Sequence, residues 1–393
     1  MLLGLVGKPS CGKSTFFKAA TLSDVLIASY PFATISANHG IGNVKISDLA
    51  QEFGKVSNPR EGYVRGKFRF VGFDLMDVAG LVEGASEGKG LGNEFLSDLA
   101  GADVFIHIVD MSGETNGEGK PAENYDVCLD IKIIENELDK WYLGIFQKVW
   151  VKFVRQIKVE GKNFADAVAL QFSGLKVVDD DVKEAVRKVG LDAEKATTWS
   201  DSDLAKFARE LRRVTKPMII AANKVDRPNG RNNYEKVKKE FDYLIVPCFA
   251  EGELALREAD KAGLIEYIPG EKDFVEKEGL NEKQQRGLDE IKKIMDEYGG
   301  TGVQEVLNKV VLDVLKMIAV YPAGDKLVDS KGNVLPDCYL LKYGSTALDF
   351  AGRIHSDLAK NFIKAIDVRT KKLIGKDYVL KNRDVIEIVH NAK

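Results

Sequence analysis

Cysteine, long apolar runs and an excess of one charge are all scarce or missing in this sequence of 393 residues. The four cysteines are scattered singly, without a Cys-x-x-Cys pair, which excludes a zinc ribbon and argues against a disulfide framework. No apolar run reaches the roughly 18 residues of a membrane-spanning helix, so we expect no membrane partner. The first residues lack the length and basic flank of a signal peptide, so we expect a cytoplasmic protein. The formal net charge of -3 gives no overall signal for nucleic acid.

The four histidines are also dispersed, and no zinc-ligand, Ser/His/Asp or paired-carboxylate arrangement stands out. His107 lies inside an apolar run, so we interpret it as a core residue rather than a ligand. The chain therefore shows no sign of a zinc enzyme or a triad hydrolase.

Short apolar runs alternate with helical patterns over much of the chain, whose length predicts two or three domains. The runs are Leu2–Val6, Phe68–Met76, Val104–Val109, Pro217–Ala222 and Tyr243–Pro247. Strands that alternate with helices predict βαβ units and a mostly parallel sheet.

Two other regions have different patterns. Between about residues 125 and 213, apolar residues recur at helical spacing, which predicts a helical region. Near the end of the chain, the strand-like runs Cys338–Lys342 and Val385–Val389 flank a helix predicted to start near Thr346.

The segment Gly7-Lys8-Pro9-Ser10-Cys11-Gly12-Lys13-Ser14 fits the phosphate-binding pattern G-x-x-x-x-G-K-[ST] and lies between a predicted strand and a predicted helix. The glycines allow backbone N–H groups to converge on phosphates, and the helix N-terminus adds its positive end. Lys13 is expected to reach the β- and γ-phosphates, and Ser14 to ligate Mg²⁺. The predicted nucleotide contacts of this segment are Gly7, Ser10, Cys11, Gly12, Lys13, Ser14 and Thr15.

Two further motifs follow predicted strands. After the first, Asp77-Val78-Ala79-Gly80, the Asp77 carboxylate is expected to hold Mg²⁺ through water and the Gly80 N–H to contact the γ-phosphate. The second, Asn223-Lys224-Val225-Asp226, fits N-K-x-D, and Asp226 can accept two N–H bonds from guanine, whereas adenine presents an acceptor. Alone, the first pattern recurs by chance and the second could be an Asx turn. Because open α/β sheets bind ligands at the carboxyl ends of their strands, the three motifs together predict a P-loop GTPase.

Two segments resemble the switch segments of Obg-related GTPases, Tyr30-Pro31-Phe32-Ala33-Thr34-Ile35 and residues 77–92. With its helical region and its tail Ile318–Lys393, the chain resembles the YchF subfamily, the Obg-like ATPases, over essentially its whole length. This resemblance implies an α/β fold, with a Ras-like P-loop G domain, an inserted helical (coiled-coil) domain and a C-terminal β-grasp TGS domain. The predicted boundaries are 1–120 and 214–317 for the G domain, 121–213 for the insertion and 318–393 for the TGS domain.

The resemblance also implies roles for individual residues. Thr34 corresponds by resemblance to the switch I threonine. The expected catalytic groups are Lys13, Thr34 and Gly80. The expected Mg²⁺ ligands are Ser14, Thr34 and Asp77. Phe249-Ala250-Glu251 falls where the family has Ser-Ala-Lys or Ser-Ala-Glu, the loop whose backbone caps guanine. Ala250 and Glu251 are therefore expected at the base, without the side-chain contact of the usual Ser.

Three positions depart from related enzymes. Leu81 stands where Ras-like enzymes have a water-orienting Gln, which predicts slow hydrolysis unless another group acts. Many YchF relatives carry Glu in place of Asp226 and prefer ATP, so the complete N-K-x-D motif favours GTP. Ser10 stands where potassium-stimulated GTPases carry Asn, so the sequence does not favour potassium dependence.

Two weaker features remain. Four basic residues recur at helical spacing: Lys148, Lys152, Arg155 and Lys158. They could form a stripe that binds nucleic acid, but we favour the interpretation that they lie on a solvated helix face. Cys11 is interpreted as a small residue that fits its loop, with redox sensitivity as the alternative.

The predicted function is a GTP-binding protein that hydrolyses GTP slowly to GDP and phosphate. It is expected to act as a nucleotide-dependent switch with a ribosome or RNA partner, an expectation that rests on the family resemblance. The alternatives are an ATP-preferring Obg-like ATPase and an RNA-binding scaffold with a structural nucleotide site. The sequence gives no indication of the oligomeric state.

Overall fold

The computed structural model describes residues 1–22, 38–78, 80–85 and 99–391. The chain forms two compact units, and each is assembled from separate stretches of sequence. The first unit contains Met1–Ile41 and Asp74–Val306, and the second contains Gly42–Phe73 and Leu307–Lys393. No helix in the described ranges is long and apolar enough to cross a membrane.

Strands and helices are numbered along the chain. The strands are β1 (Leu2–Val6), β2 (Asn38–Ser47), β3 (Tyr63–Arg65), β4 (Phe68–Asp77), β5 (Val104–Asp110), β6 (Met218–Asn223), β7 (Ile245–Cys248), β8 (Ile265–Tyr267), β9 (Phe274–Glu276), β10 (Met317–Pro322), β11 (Tyr339–Lys342), β12 (Phe362–Asp367), β13 (Leu373–Ile374) and β14 (Val385–His390). The α-helices are α1 (Lys13–Thr21), α2 (Cys128–Gln147), α3 (Trp150–Glu160), α4 (Phe164–Gln171), α5 (Asp179–Val189), α6 (Asp201–Thr215), α7 (Gly230–Glu240), α8 (Ala250–Lys261), α9 (Glu282–Tyr298), α10 (Val303–Lys309), α11 (Ala347–Ile354) and α12 (Ser356–Lys360).

A parallel sheet forms the centre of the first unit. Strand β1 pairs in parallel with the end of β4 on one side and with β5 on the other, and β6 and β7 continue the sheet. Every residue of β5 and β6 is buried, as expected for parallel strands covered on both faces. The five strands predicted from the sequence are all present, which confirms the α/β fold class. Asp77, Asp110 and Asn223 end β4, β5 and β6, so three polar side chains lie at one edge of the sheet.

Helix α2 belongs to two cores. In its first half, Ile131, Ile134 and Leu138 pack against apolar residues of the sheet. In its second half, Tyr142 and Phe146 enter the core of the helical region. One continuous helix therefore joins the sheet to the helices that follow it.

The helical region from α2 to α6 has an aromatic core. The rings of Phe146 and Phe172 stack with centroids 3.9 Å apart, and those of Trp150 and Trp199 stack at 5.6 Å. Ser200 is the N-cap of helix α6, where a reciprocal pair of hydrogen bonds with Asp203 forms a capping box. The helical character predicted for this region is confirmed.

The second unit contains a five-stranded sheet in the order β11-β10-β14-β12-β13. Strand β10 pairs antiparallel with β11 and parallel with β14, and Phe350 of α11 packs into the core of this sheet. Thr346 caps α11, close to the predicted helix start.

The segment Gly42–Phe73 is also part of the second unit. Leu49 and Ala50 are fully buried in a cluster that includes Tyr321 and Leu335. Nothing in the sequence pattern predicted this packing, because the residues concerned are separated by more than about 250 positions of chain.

Candidate nucleotide-binding site

The loop between β1 and α1 has the backbone of a phosphate-binding loop. Gly7, Ser10 and Gly12 all have positive φ angles, of 152°, 63° and 95°. A Cβ atom on Gly7 would lie 2.5 Å from the Ile108 carbonyl oxygen, and one on Gly12 would lie 2.4 Å from the Asn223 amide nitrogen. Both positions therefore require glycine, because of close approach as well as conformation.

The N-terminus of α1 faces this loop without a side-chain cap. Gly12 occupies the cap position and supplies no side-chain hydrogen bond, so the first N–H groups of the helix can meet phosphate oxygens. Thr15 lies in this first turn. The buried Lys13 ammonium donates to the carbonyl oxygens of Gly7, at 3.1 Å, and Lys8, at 2.8 Å. The loop thus surrounds Lys13, the residue predicted to reach the phosphates.

Ser14 and Asp77 come together as the sequence analysis expects. The Ser14 hydroxyl donates to Asp77 Oδ2 at 2.8 Å, and Asp77 is fully buried. Within the described residues, Asp77 Oδ1 has no hydrogen-bond partner. Burial raises the pKa of Asp77, and the Lys13 charge and the Ser14 hydrogen bond oppose this rise. A hard cation such as Mg²⁺ fits a carboxylate and a hydroxyl in this arrangement, because it takes oxygen ligands.

Gly80 and Leu81, near the start of the predicted second switch segment, contact the same loop. The Leu81 N–H donates to the Gly7 carbonyl at 3.0 Å, and a Cβ atom on Gly80 would lie 2.7 Å from the Pro9 nitrogen. Leu81 is buried, with 1% of its surface exposed. Thr34, Ala79 and residues 86–92 lie outside the described residues.

Asn223 joins three parts of the site. Its side-chain amide donates to the Cys11 carbonyl at 3.0 Å, and its side-chain oxygen accepts from the Ala250 N–H at 3.1 Å. The end of β6 is thereby tied to the phosphate-binding loop and to the start of α8. The Ala250 N–H, which was expected at the base, is donated to Asn223 here.

Lys224 is held by the phosphate-binding loop and by Asp110, an acid that belongs to none of the sequence motifs. Its ammonium donates to the Ser10 carbonyl at 2.9 Å and to Asp110 Oδ2 at 2.7 Å. Burial alone would raise the pKa of Asp110, but Lys224 and Ser112 outweigh burial and leave it lowered. Asp110 directly follows a predicted strand, the same signal that identified Asp77, so its position could have been noticed.

Asp226 is half-buried near two other charged residues. Arg227 lies 3.6 Å from the Asp226 carboxylate and 3.7 Å from that of Glu251, whose side chain is exposed. Burial raises the pKa of Asp226, Glu251 adds to the rise, and Arg227 and Lys224 oppose it. The Phe249 ring packs against the buried cluster around Leu256.

Helix α2 contacts the site at two points on one face. Asp130 forms a buried ion pair of 2.8 Å with Lys8 of the phosphate-binding loop. Two helical turns further on, the fully buried Glu137 accepts a hydrogen bond of 3.1 Å from the Gly84 N–H. Neither acid has a sequence motif, so neither could be assigned from the sequence.

Two other residues match their interpretations as packing residues. Cys11 is fully buried, and burial raises the pKa of its thiol, which disfavours the reactive thiolate. His107 is fully buried in β5, and burial lowers its pKa to about 3, so the ring is neutral.

The four basic residues at helical spacing are all exposed, as on a solvated helix face: Lys148, Lys152, Arg155 and Lys158.

Three family models match separate parts of the chain. Residues 2–143 match a model described as 50S ribosome-binding GTPase, and residues 221–325 match one described as Obg-like GTPase YGR210-like, G4 motif-containing domain. Residues 318–390 match the TGS domain model.

Relatives align over the full length. A GTP-binding protein of Methanocaldococcus jannaschii is 46% identical over 395 residues, covering 100% of both chains. The ribosome-binding ATPase YchF of Mycoplasma genitalium is 31% identical over 413 residues, covering 99% of both. The crystal structure of a GTP binding protein from Pyrococcus horikoshii OT3 has a TM-score of 0.80 at 39% identity and covers 100% of both chains. The chain therefore belongs to the YchF/Obg-like GTPase family, with a G domain and a C-terminal TGS domain.

Proposed function

We propose that this protein binds GTP with Mg²⁺, hydrolyses it slowly to GDP and phosphate, and acts as a nucleotide-dependent switch. The observation that carries the proposal is the position of Asn223, whose side chain hydrogen-bonds both the phosphate-binding loop and the segment at Ala250. This bridge fixes Asp226, three residues further on, relative to the loop. This connection supports contacts from both segments to one nucleotide, with its phosphates at the loop and its base near Asp226.

The residues at the loop have distinct roles in this proposal. Lys13 and the N–H groups at the start of α1 bind the phosphates, and Ser14 and Asp77 hold Mg²⁺. Held by these two residues, Mg²⁺ would supply positive charge that neutralises charge on the phosphates. The Gly80 N–H and Thr34 act at the γ-phosphate, as the family resemblance implies. Potassium has no part in the proposal, because Ser10 lacks the longer side chain of Asn.

Slow hydrolysis follows from Leu81. Its side chain is apolar and buried, and its N–H is held by the Gly7 carbonyl. It cannot orient a water molecule as a Gln does at this position. We expect Leu81→Gln to retain turnover, which would be measured as phosphate release over many turnovers. Loss of turnover in this variant would contradict a passive role for Leu81.

Base selection is assigned to Asp226. Its carboxylate can accept both N–H groups of the guanine edge, whereas adenine would leave the carboxylate facing an acceptor. Isothermal titration with non-hydrolysable GTP and ATP analogues, both with Mg²⁺, tests this assignment. We expect a preference for GTP of about tenfold or more, equivalent to about 1.4 kcal/mol, and its loss in Asp226→Ala. Equal or tighter ATP binding would overturn GTP specificity.

ATP use is the second candidate. It is favoured by the Ala250 N–H, which is donated to Asn223 and not to the base, so that one fewer contact distinguishes guanine from adenine. Relatives named ribosome-binding ATPase YchF also support it. A scaffold with a structural nucleotide site is distinguished from both by the absence of multiple-turnover hydrolysis.

A ribosome partner and a cytoplasmic location are part of the proposal, supported by the names of those relatives. Co-sedimentation with purified ribosomes, with a GTP analogue or GDP, tests the partner. A switch predicts different amounts bound with the two nucleotides. Equal binding, or none, would contradict it.

A further inference from the structure

An open cavity of about 580 Å³ lies in the helical region, between α3 and α5. Val154 and Ile157 of α3 and Val182 and Val186 of α5 line it. These aliphatic residues belong to the core of the region or sit at its surface, so the floor of the cavity is apolar. A cavity of this volume can enclose several large side chains.

The rim of the cavity is basic. Lys158 and Lys162 stand on the α3 side, Lys183 and Arg187 stand on α5, and all four are exposed. Lys183 and Arg187 are one helical turn apart on α5, and Lys162 follows the end of α3. Among the residues that the structure describes, Glu194 is the only acidic one that lines the cavity.

The four basic residues of the rim differ in whether they form ion pairs within the described part of the chain. Lys162 pairs with Glu160 at 2.7 Å, and Lys183 pairs with Asp179 at 2.6 Å. Lys158 and Arg187, one on each side, make no ion pair with the part of the chain that the structure describes. Exposed pairs contribute little, so a partner carboxylate can also displace the first two.

We propose that this open cavity between α3 and α5 is a groove that binds an acidic amphipathic helix of a partner protein. Such a helix inserts aliphatic side chains at i, i+3 or i+4 and i+7 into an apolar groove. Acidic residues along its flanks then meet the basic rim, which selects the partner and its orientation.

Other occupants match the groove less well. RNA recognition uses aromatic stacking platforms, whereas this floor is aliphatic and its aromatic residue, Phe164, packs edge-on against Trp150. A small molecule needs convergent polar groups, but the Asn163 side-chain oxygen is used to cap α4. A second copy of the chain would bring an equally basic groove.

Selection from a displayed library of peptides of about 18 residues, a helix about 27 Å long, tests the proposal on the full-length protein. The double variant Lys158→Glu/Arg187→Glu serves as the counter-target. We expect peptides retained by the wild type alone to be acidic, with aliphatic residues at helical spacing. If no peptide depends on the rim, or the dependent peptides lack this pattern, the proposal is overturned.

A selected peptide is then synthesised with a fluorescent label and its affinity measured by anisotropy. We expect about tenfold or greater weakening in Lys158→Glu/Arg187→Glu and weakening by added salt. The matched control is Lys152→Glu/Arg155→Glu, which reverses two exposed charges that do not line the groove and should change affinity less than about twofold. Equal effects of the two double variants would overturn the proposal, as would rim-dependent binding of a labelled oligouridine in place of the peptide. Tryptophan fluorescence checks that both variants are folded, since Trp141, Trp150 and Trp199 all lie in this region.

Discussion

Asp110 is the buried charge that holds Lys224 in place. Its Oδ2 atom accepts from Lys224 at 2.7 Å and from the Thr115 hydroxyl at 3.1 Å. In Asp110→Asn, the Lys224 ammonium loses its counter-charge, and breaking a buried pair costs about 3–5 kcal/mol. The Lys224 side chain is 27% exposed, so we expect the lower end of that range, together with about tenfold weaker GTP binding.

Urea denaturation and titration with a GTP analogue measure the two effects of Asp110→Asn. Ser112→Ala is the matched control, because it removes a neutral hydroxyl that donates to the same carboxylate at 2.6 Å. The control should cost about 1 kcal/mol and leave GTP affinity unchanged. Unaltered affinity in Asp110→Asn would show that Lys224 does not depend on this acid.

His107 predicts a pH dependence of stability. Burial lowers its pKa to about 3 in the folded chain, while the unfolded chain has the ordinary value of about 6.5. Protons therefore bind the unfolded state first, and stability present above about pH 6.5 is lost as pH falls towards 3. The loss between about pH 7 and pH 5 amounts to about 2 kcal/mol for this one group.

The variant His107→Leu separates the contribution of His107 to stability from that of carboxylates, which titrate in an adjacent pH range. We expect the difference in unfolding free energy between variant and wild type to grow by about 2 kcal/mol from about pH 7 to pH 5. Denaturant unfolding at each pH gives the difference. A difference that stays constant with pH would mean that His107 takes up a proton in the folded chain.

The residues that the sequence could assign are those with fixed spacing within one segment. Lys13, Ser14 and Asn223 belong to local motifs, so their chemistry and position along the chain could be predicted together. Asp110 has a strand-end position but no motif. Glu137 could not be found at all, because its partner Gly84 is 53 residues away and only packing brings the two together.

At the scale of elements, α2 connects the nucleotide site with the helical region. Glu137 on this helix accepts from the Gly84 N–H at 3.1 Å and is fully buried. In Glu137→Ala, this N–H loses a charged acceptor, at a cost of about 1.5–3 kcal/mol. We expect amide exchange around Gly84 to accelerate by about tenfold to a hundredfold. Glu137→Gln keeps an acceptor and should accelerate exchange less.

Hydrogen exchange of peptides covering residues 80–85 measures this effect. Exchange that is unchanged in Glu137→Ala would contradict a role for α2 in holding the second switch segment. The sequence predicted a helix here from the spacing of Ile131, Ile134 and Leu138, and the structure confirms it. The division of one helix between two cores could not be predicted, because both halves have the same apolar periodicity.

For the whole molecule, the sequence predicted the order of modules from local patterns and family resemblance. The G domain and the TGS domain are confirmed, and the boundaries proposed between them stay predictions. The packing of Gly42–Phe73 with the C-terminal residues had no local signal. This segment lies in sequence between Thr34 and Asp77, the two positions that we propose as switch residues, and it belongs to the second unit.

Arg69 is a buried polar anchor of Gly42–Phe73. It is 1% exposed and donates to the carbonyl oxygens of Leu335, at 2.5 Å, and Pro336, at 2.9 Å. Arg69→Met keeps the apolar stem but leaves both carbonyls unpaired, at a cost of about 1–3 kcal/mol each. We expect faster amide exchange in β10 and β14 and easier proteolysis within Gly42–Phe73.

The matched control for Arg69→Met is Arg60→Met. Arg60 pairs with Asp329 at 2.7 Å and Asp337 at 2.9 Å, but its side chain is 55% exposed, and such pairs contribute at most about 1 kcal/mol. Exchange in β10 and β14 should therefore stay close to wild type in the control. If the two variants behaved alike, the Arg69 hydrogen bonds would not be needed to hold Gly42–Phe73. The apolar contacts around Leu49 and backbone hydrogen bonds, such as that from the Asn58 N–H to the Val334 carbonyl at 2.8 Å, would then be sufficient.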